Sequence, residues 1–168
     1  MQTMSGAVSP LKENPHFVRL LTMFTNPFMG ILVGIVFTAV LQSASASVGI
    51  LQALSITGSI TFAAALPITM GIGVGAACPV LLSSIGTNKN GKRTALIYLL
   101  NDLFGMIFWS IVFYSVNAIV HFPFMGEIMS PFRVALLNTV FRLLTILVLA
   151  PFIGKIEKLV FFLINCLL

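Results

Sequence analysis

Three features of this chain have residue types suited to chemistry, and each sits in apolar sequence. The first is Gln42-Ser43-Ala44-Ser45-Ala46-Ser47, which interrupts an apolar run reaching from Ile31 to Leu41 before it and from Val48 to Leu54 after it. A break of this kind inside a hydrophobic helix offers hydroxyl oxygens and helix-end amides to an ion or an anion. The same small residues would also let two helical legs pack closely. The second feature is a pair of opposite charges, Asp102 and Arg142, each inside a long apolar stretch. They read either as a packing clamp between two helices or as charges lining an anion path, where the arginine fork matches an oxyanion. The third is Gly71-Ile72-Gly73-Val74-Gly75, between Pro67 and Pro79. Its glycines fit a broken helix that exposes backbone at a site. Gly71 and Gly75 equally fit the four-residue spacing of close helix packing.

The sequence around these residues reads as membrane protein. Of 168 residues, 58% are hydrophobic and 8% are charged, with mean hydropathy +1.09; a soluble domain has roughly 25% charged residues. From Leu20 to Asn88 there is no Asp, Glu, Lys or Arg, a run longer than two membrane crossings of roughly 20 residues. No leading basic cluster precedes an apolar core in Met1 to Leu20, so no cleavable signal is evident. The net charge of +5 comes from scattered basic residues, which suits orientation in a bilayer rather than nucleic-acid binding. Enzyme chemistry finds little support. The acids are Glu13, Asp102, Glu127 and Glu157, the histidines are His16 and His121, and no nucleophile triad, phosphate loop or metal-ligand spacing stands out. Cys78 and Cys166 lie far apart in apolar sequence and read as core residues, with no disulfide or metal between them.

The elements that must hold these residues follow from apolar length and helix punctuation. Residues 1–25 read as an N-terminal interfacial helix or the remnant of a longer transmembrane one. Asn26-Pro27 opens a helix, with Asn26 as cap and Pro27 in the first turn. It runs to about Leu41, a leg of about 24 Å, and a second leg runs from about Ser47 to Ser55. Both fall short of the ~30 Å hydrocarbon core, which favours a re-entrant hairpin over residues 27–56. A broken helix is expected over 59–85, full transmembrane helices over 94–121 and 132–152, and a tail or surface helix over 154–168. Lys89, Lys92 and Arg93, with Lys155 and Lys158, place two loops in the cytoplasm and leave Phe122 to Ser130 outside. Lys12 and Arg19 would then lie outside, against that tendency.

Depth and phase can be read from helix geometry. Asp102 is about 12 Å along its helix from Thr94, and Arg142 about 15 Å from Phe152, so the two charges lie at similar depth. Tyr98, Asp102, Gly105 and Trp109 share one face of the first helix; Asn138, Arg142 and Thr145 share a face of the second.

The hairpin region resembles the type II sodium–phosphate cotransporter family, which has Gln-Ser-Ser-Ser at the tip of a re-entrant hairpin. Gln42, Ser43 and Ser45 match that motif and Ala44 departs from it. Ala46-Ser47, the run from Gly49 to Leu54, and Ser83 to Arg93 also read like bacterial members. The resemblance implies an all-α polytopic membrane protein with one re-entrant hairpin and about three transmembrane helices. It implies half of an inverted-repeat transporter, and the second repeat is the closer match, covering 26–153. Phosphate would be held at Gln42, Ser43, Ser45 and Ser47, with sodium as coupling ion at Ser43 and Ser45 and no other cofactor. The path would work by alternating access in a bacterial cell membrane. A second repeat, a separate half or a homodimer would be needed, because no second Gln-Ser-x-Ser motif occurs. The resemblance also exposes departures. Where family members have Gly-Gln-Asn-Ile-Gly-Thr and a further Thr, this chain has Ile72, Gly73, Ala76 and Pro79, so four side-chain oxygens suited to a hard cation are missing. In the family the places of Asp102 and Arg142 usually hold Asn or His. A non-transporting scaffold or accessory half-subunit, and a transporter of another small anion, are the rival readings.

Overall fold

The computed structural model describes residues 26–56, 58 and 60–167, with side chains to residue 162. The expectations for residues 1–25 and for the Cys166 side chain lie outside the described residues. The described chain is all helix: α1 (Pro27–Leu41), α2 (Ala44–Ile56), α3 (Phe62–Gly75), α4 (Ala77–Ser84), α5 (Lys89–Val120), α6 (Pro131–Leu149) and α7 (Ile153–Leu167), with short 3-10 turns at Pro123–Gly126 and Ala150–Phe152. Three stretches are long and apolar enough to cross a membrane: Phe62–Ser84, Lys89–Val120 and Pro131–Phe162. α1 and α2 are apolar but shorter.

Local chemistry sets the boundaries, and it moves several of them from where hydropathy alone put them. Asn26 Oδ1 accepts the Phe28 amide and Pro27 occupies the first turn, so α1 begins there. Ser43 Oγ accepts the Ala46 amide at 3.2 Å, which starts α2 at Ala44 rather than near Ser47. Asn88 caps α5 through the Gly91 amide at 3.0 Å, so this helix begins at Lys89 and reaches 32 residues, about 48 Å. Ser130 and Pro131 open α6 in the same way. α3 and α4 part at Ala76. Pro79 causes the break: it has no amide to offer the Gly75 carbonyl four residues earlier, and its ring crowds that carbonyl.

α3 is the central helix. Every residue from Ala64 to Gly75 is buried, and α3 touches α1, α2, α5 and α6. At one end of the molecule the Phe62 amide donates to the Glu127 carbonyl (3.0 Å) and the Met129 amide to the Ile60 carbonyl (2.9 Å). This clasp, with the Arg133–Glu127 ion pair at 2.6 Å, ties the α2–α3 and α5–α6 connections together. The basic residues Lys89, Lys92 and Arg93 begin α5 at its opposite end. α7 packs along α5 with Ile156 and Val160 buried, and the Arg93 guanidinium lies 4.1 Å from the Phe161 ring centre.

Candidate functional site

The tip between α1 and α2 is a two-residue reversal. Gln42 adopts a left-handed conformation (φ 53, ψ 22), and its amide donates to the Thr38 carbonyl at 2.8 Å. A non-glycine residue in this region is strained by roughly 1 kcal/mol, so the turn is held by what surrounds it. The brace is a buried hydroxyl chain: Thr38 Oγ1 donates to Ser47 Oγ at 2.9 Å, and Ser47 Oγ donates to the Ser43 carbonyl at 3.1 Å. A hydroxyl has one proton to give. Ser47 has given it to the backbone and is 1% exposed, so its part is to hold the two legs together. Ser43 is half-buried and engaged as the α2 cap, while Gln42 and Ser45 are exposed.

Ser45 opens onto a cavity of about 310 Å³ lined by Ala44, Val48, Gly49, Gln52, Asn138 and Arg142. One water needs only ~10–15 Å³ measured this way, so a tetrahedral oxyanion fits. The first-turn amides of a helix have no acceptor within it. Ser43 takes those of Ala46 and Ser47, and those of Ala44 and Ser45 have no acceptor within the helix. Gln52, which the sequence reading passed over, also ties α2 to α6 by donating from Nε2 to the Pro131 carbonyl at 3.3 Å. Its signal was present in the spacing: Ser45, Val48, Gly49 and Gln52 follow one helix face.

The three glycines of α3 divide. A Cβ on Gly71 would strike the Ile31 carbonyl oxygen and lie 3.0 Å from the Gly34 Cα. One on Gly75 would lie 2.6 Å from the Ile35 carbonyl oxygen and 2.8 Å from the Thr38 Cβ. These two glycines let α3 and α1 approach backbone to backbone. Gly73 points elsewhere: the nearest atom to a Cβ there is Phe141 Cε1 at 3.9 Å, and Gly73 lines a second cavity, of about 180 Å³.

That second cavity contains both intramembrane charges. Tyr98, Asn101, Asp102, Phe141, Arg142, Thr145 and Ile146 complete its wall. Asp102 Oδ1 accepts a long hydrogen bond from Asn101 Nδ2 at 3.5 Å, and Oδ2 is shielded from solvent with no hydrogen-bond partner among the described residues. The ion pair found among the described residues is Arg133–Glu127 instead. Asp102 and Arg142 therefore border one cavity without closing a contact. The helices that hold them meet where Gly105 leaves room for Thr145, since a Cβ on Gly105 would run into that side chain. Arg142 lines both cavities and so links the hairpin tip to Asp102.

A helical membrane protein with a capped polar hairpin tip facing an arginine has the parts of an anion-handling transport protein. The family model described as Na+/Pi-cotransporter matches residues 1–138, and the chain belongs to that family. Its general role is sodium-coupled phosphate transport across a membrane. Comparison with curated proteins and with solved structures gives no match.

Proposed function

We propose that this chain forms one repeat of a sodium-coupled phosphate path in a bacterial cell membrane, with the hairpin tip as the phosphate-binding element. The observation that carries this reading is the meeting of Ser45, the α2 N-terminus and Arg142 at one cavity. A helix N-terminus and a guanidinium both favour an anion, and the guanidinium fork fits phosphate oxygens. Ser45 and the Ala44 and Ser45 amides donate to phosphate, Asn138 and Gln52 complete the polar wall, and Gln42 orients the tip. Ser43 gives its hydroxyl oxygen to sodium beside the cap it forms. The end bearing Lys89, Lys92 and Arg93 faces the cytoplasm, and the hairpin is re-entrant. A second repeat, from a separate half or a second copy of the chain, completes the path opposite α1 and α2.

The test is uptake of labelled phosphate into proteoliposomes containing the full chain, alone and with a co-expressed candidate half. Uptake that requires a sodium gradient and falls at least about tenfold in Ser45→Ala is the expected result, in line with loss of a charge-assisted hydrogen bond. Sodium-independent leakage, equal in wild type and Ser45→Ala, would overturn the reading.

A further inference from the structure

We infer that Arg142 is a built-in cation: it neutralises the Asp102 cavity and shares its charge with the anion at the hairpin tip, taking the place of one coupling sodium ion. The inference rests on the phosphate-binding reading above and deepens it.

A carboxylate oxygen buried at membrane depth requires a cation, a proton or hydrogen-bond donors. Asp102 Oδ2 has no hydrogen-bond partner among the described residues. The cavity around it has oxygen groups on Tyr98, Asn101 and Thr145, which is chemistry a hard monovalent cation accepts. α3 adds nothing to that set. It meets the cavity through Gly73 alone, and it has no titratable residue along its length. Among the described residues lining the cavity, the charged group facing Asp102 is Arg142 from α6, with the Tyr98 phenol on its own helix. Lys155 of α7 belongs to a separate apolar groove beside Phe104 and Ile107.

An ionised Asp102 and the permanent charge of Arg142 sum to zero in this cavity, and a sodium ion added to it would face the guanidinium. Arginine does not deprotonate in proteins, so this positive charge is present in every state of the transport cycle. Its five donors form a planar fork wide enough to serve two acceptors. Arg142 lines the tip cavity with Ser45 as well as the Asp102 cavity, which is the placement required of a charge serving both. It also lies beyond the segment matched by the family model, residues 1–138. Phosphate binding in this chain therefore leans on one sodium ion fewer than it would if the Asp102 cavity were filled from solution.

The experiment measures the Kd of radiolabelled inorganic phosphate for the full chain in lipid nanodiscs, over a series of sodium concentrations with choline holding ionic strength constant. By linkage, each sodium ion taken up with phosphate adds about one unit to the slope of log Kd against log sodium. Arg142→Asn exposes Asp102 without its counter-charge and adds an amide oxygen, creating a sodium site. The expected result is a slope steeper than wild type by about one unit, with phosphate affinity recovering as sodium rises. Equal slopes in wild type and Arg142→Asn would overturn the inference while leaving phosphate binding at the tip intact. Absence of phosphate binding in wild type at every sodium concentration would overturn the underlying reading and this inference with it. The double variant Asp102→Asn/Arg142→Asn leaves no uncompensated charge in the bilayer, so it answers if the single variant does not fold. It should retain the wild-type sodium slope and bind phosphate about tenfold more weakly or worse. Wild-type affinity in that double variant would overturn the inference.

Discussion

The α1–α3 seam and the α5–α6 seam both use glycine to bring two helices together, and they end in opposite states. At α1–α3, Gly34, Gly71 and Gly75 let the two backbones touch, and the face of α1 turned to α3 is made of Gly30, Gly34 and Thr38. Nothing charged lies among those residues. At α5–α6 a single small position, Gly105, receives Thr145. Beside that contact, Asp102 and Arg142 border an open space of about 180 Å³. Small residues repeated every fourth position close a seam along its length, whereas the single contact at Gly105 leaves a cavity beside it. The first seam fixes the hairpin to the central helix, and the second leaves an open space beside two charges.

The largest effect expected from breaking this contrast is at Gly71. In Gly71→Ala the added methyl meets the Ile31 carbonyl oxygen, and backbone cannot swing away as a side chain can. Overpacking of this kind costs about 1–3 kcal/mol and occasionally more, and a backbone obstacle belongs at the upper end. Thermal unfolding in nanodiscs should show a loss of roughly 2–4 °C per kcal/mol for a chain of this size, with lowered yield. An unchanged midpoint would mean that the seam is looser than its geometry.

Next comes the brace beside that seam. Ser47→Ala removes the acceptor of Thr38 Oγ1 and the donor to the Ser43 carbonyl in a buried setting, at a cost of about 1–3 kcal/mol. The same assay reads it. Ser45→Ala is expected to leave the midpoint within about 0.5 kcal/mol of wild type while weakening phosphate binding. A brace and a ligand group only two residues apart would thus separate cleanly, one in stability and the other in affinity. If both variants lost stability and neither lost affinity, the tip would be a packing element and nothing more.

How much of this was legible in the sequence depends on range. The apolar runs disclosed the three long helices, and the polar break at Gln42 to Ser47 marked the reversal between α1 and α2, because both follow from the bilayer's intolerance of unpaired polar groups. Helix rise placed Asp102 and Arg142 at one depth, and the structure puts them on one cavity. The glycines of α3 could not be sorted, since the four-residue spacing that packs helices is the same spacing that opens a site. The deciding partner, Gly34, lies 37 residues from Gly71 in sequence and has no local signature. The start of α2 was missed because Ser43 looks identical in sequence as a cap or as part of a break. The double duty of Arg142 was out of reach for the same reason as Gly34. It depends on α2 and α6 being neighbours, which the clasp at Glu127 and Met129 and the Gln52 bond to Pro131 bring about.

The smallest expected effect is the sharpest test of the contrast. Gly73 stands two residues from Gly71 and two from Gly75, yet a Cβ there meets only Phe141 Cε1, at an ordinary contact distance of 3.9 Å. Gly73→Ala should therefore fold with stability within about 0.5 kcal/mol of wild type, and its slightly higher helix propensity offsets any crowding. The methyl would reach into the Asp102 cavity and reduce its volume without touching the α1–α3 seam. Equal damage from Gly71→Ala and Gly73→Ala would show that α3 turns both faces against close-packed neighbours, and the open wall between α5 and α6 would have to be abandoned. A stable Gly73→Ala beside a failing Gly71→Ala would fix which face of the central helix packs and which looks onto the charges.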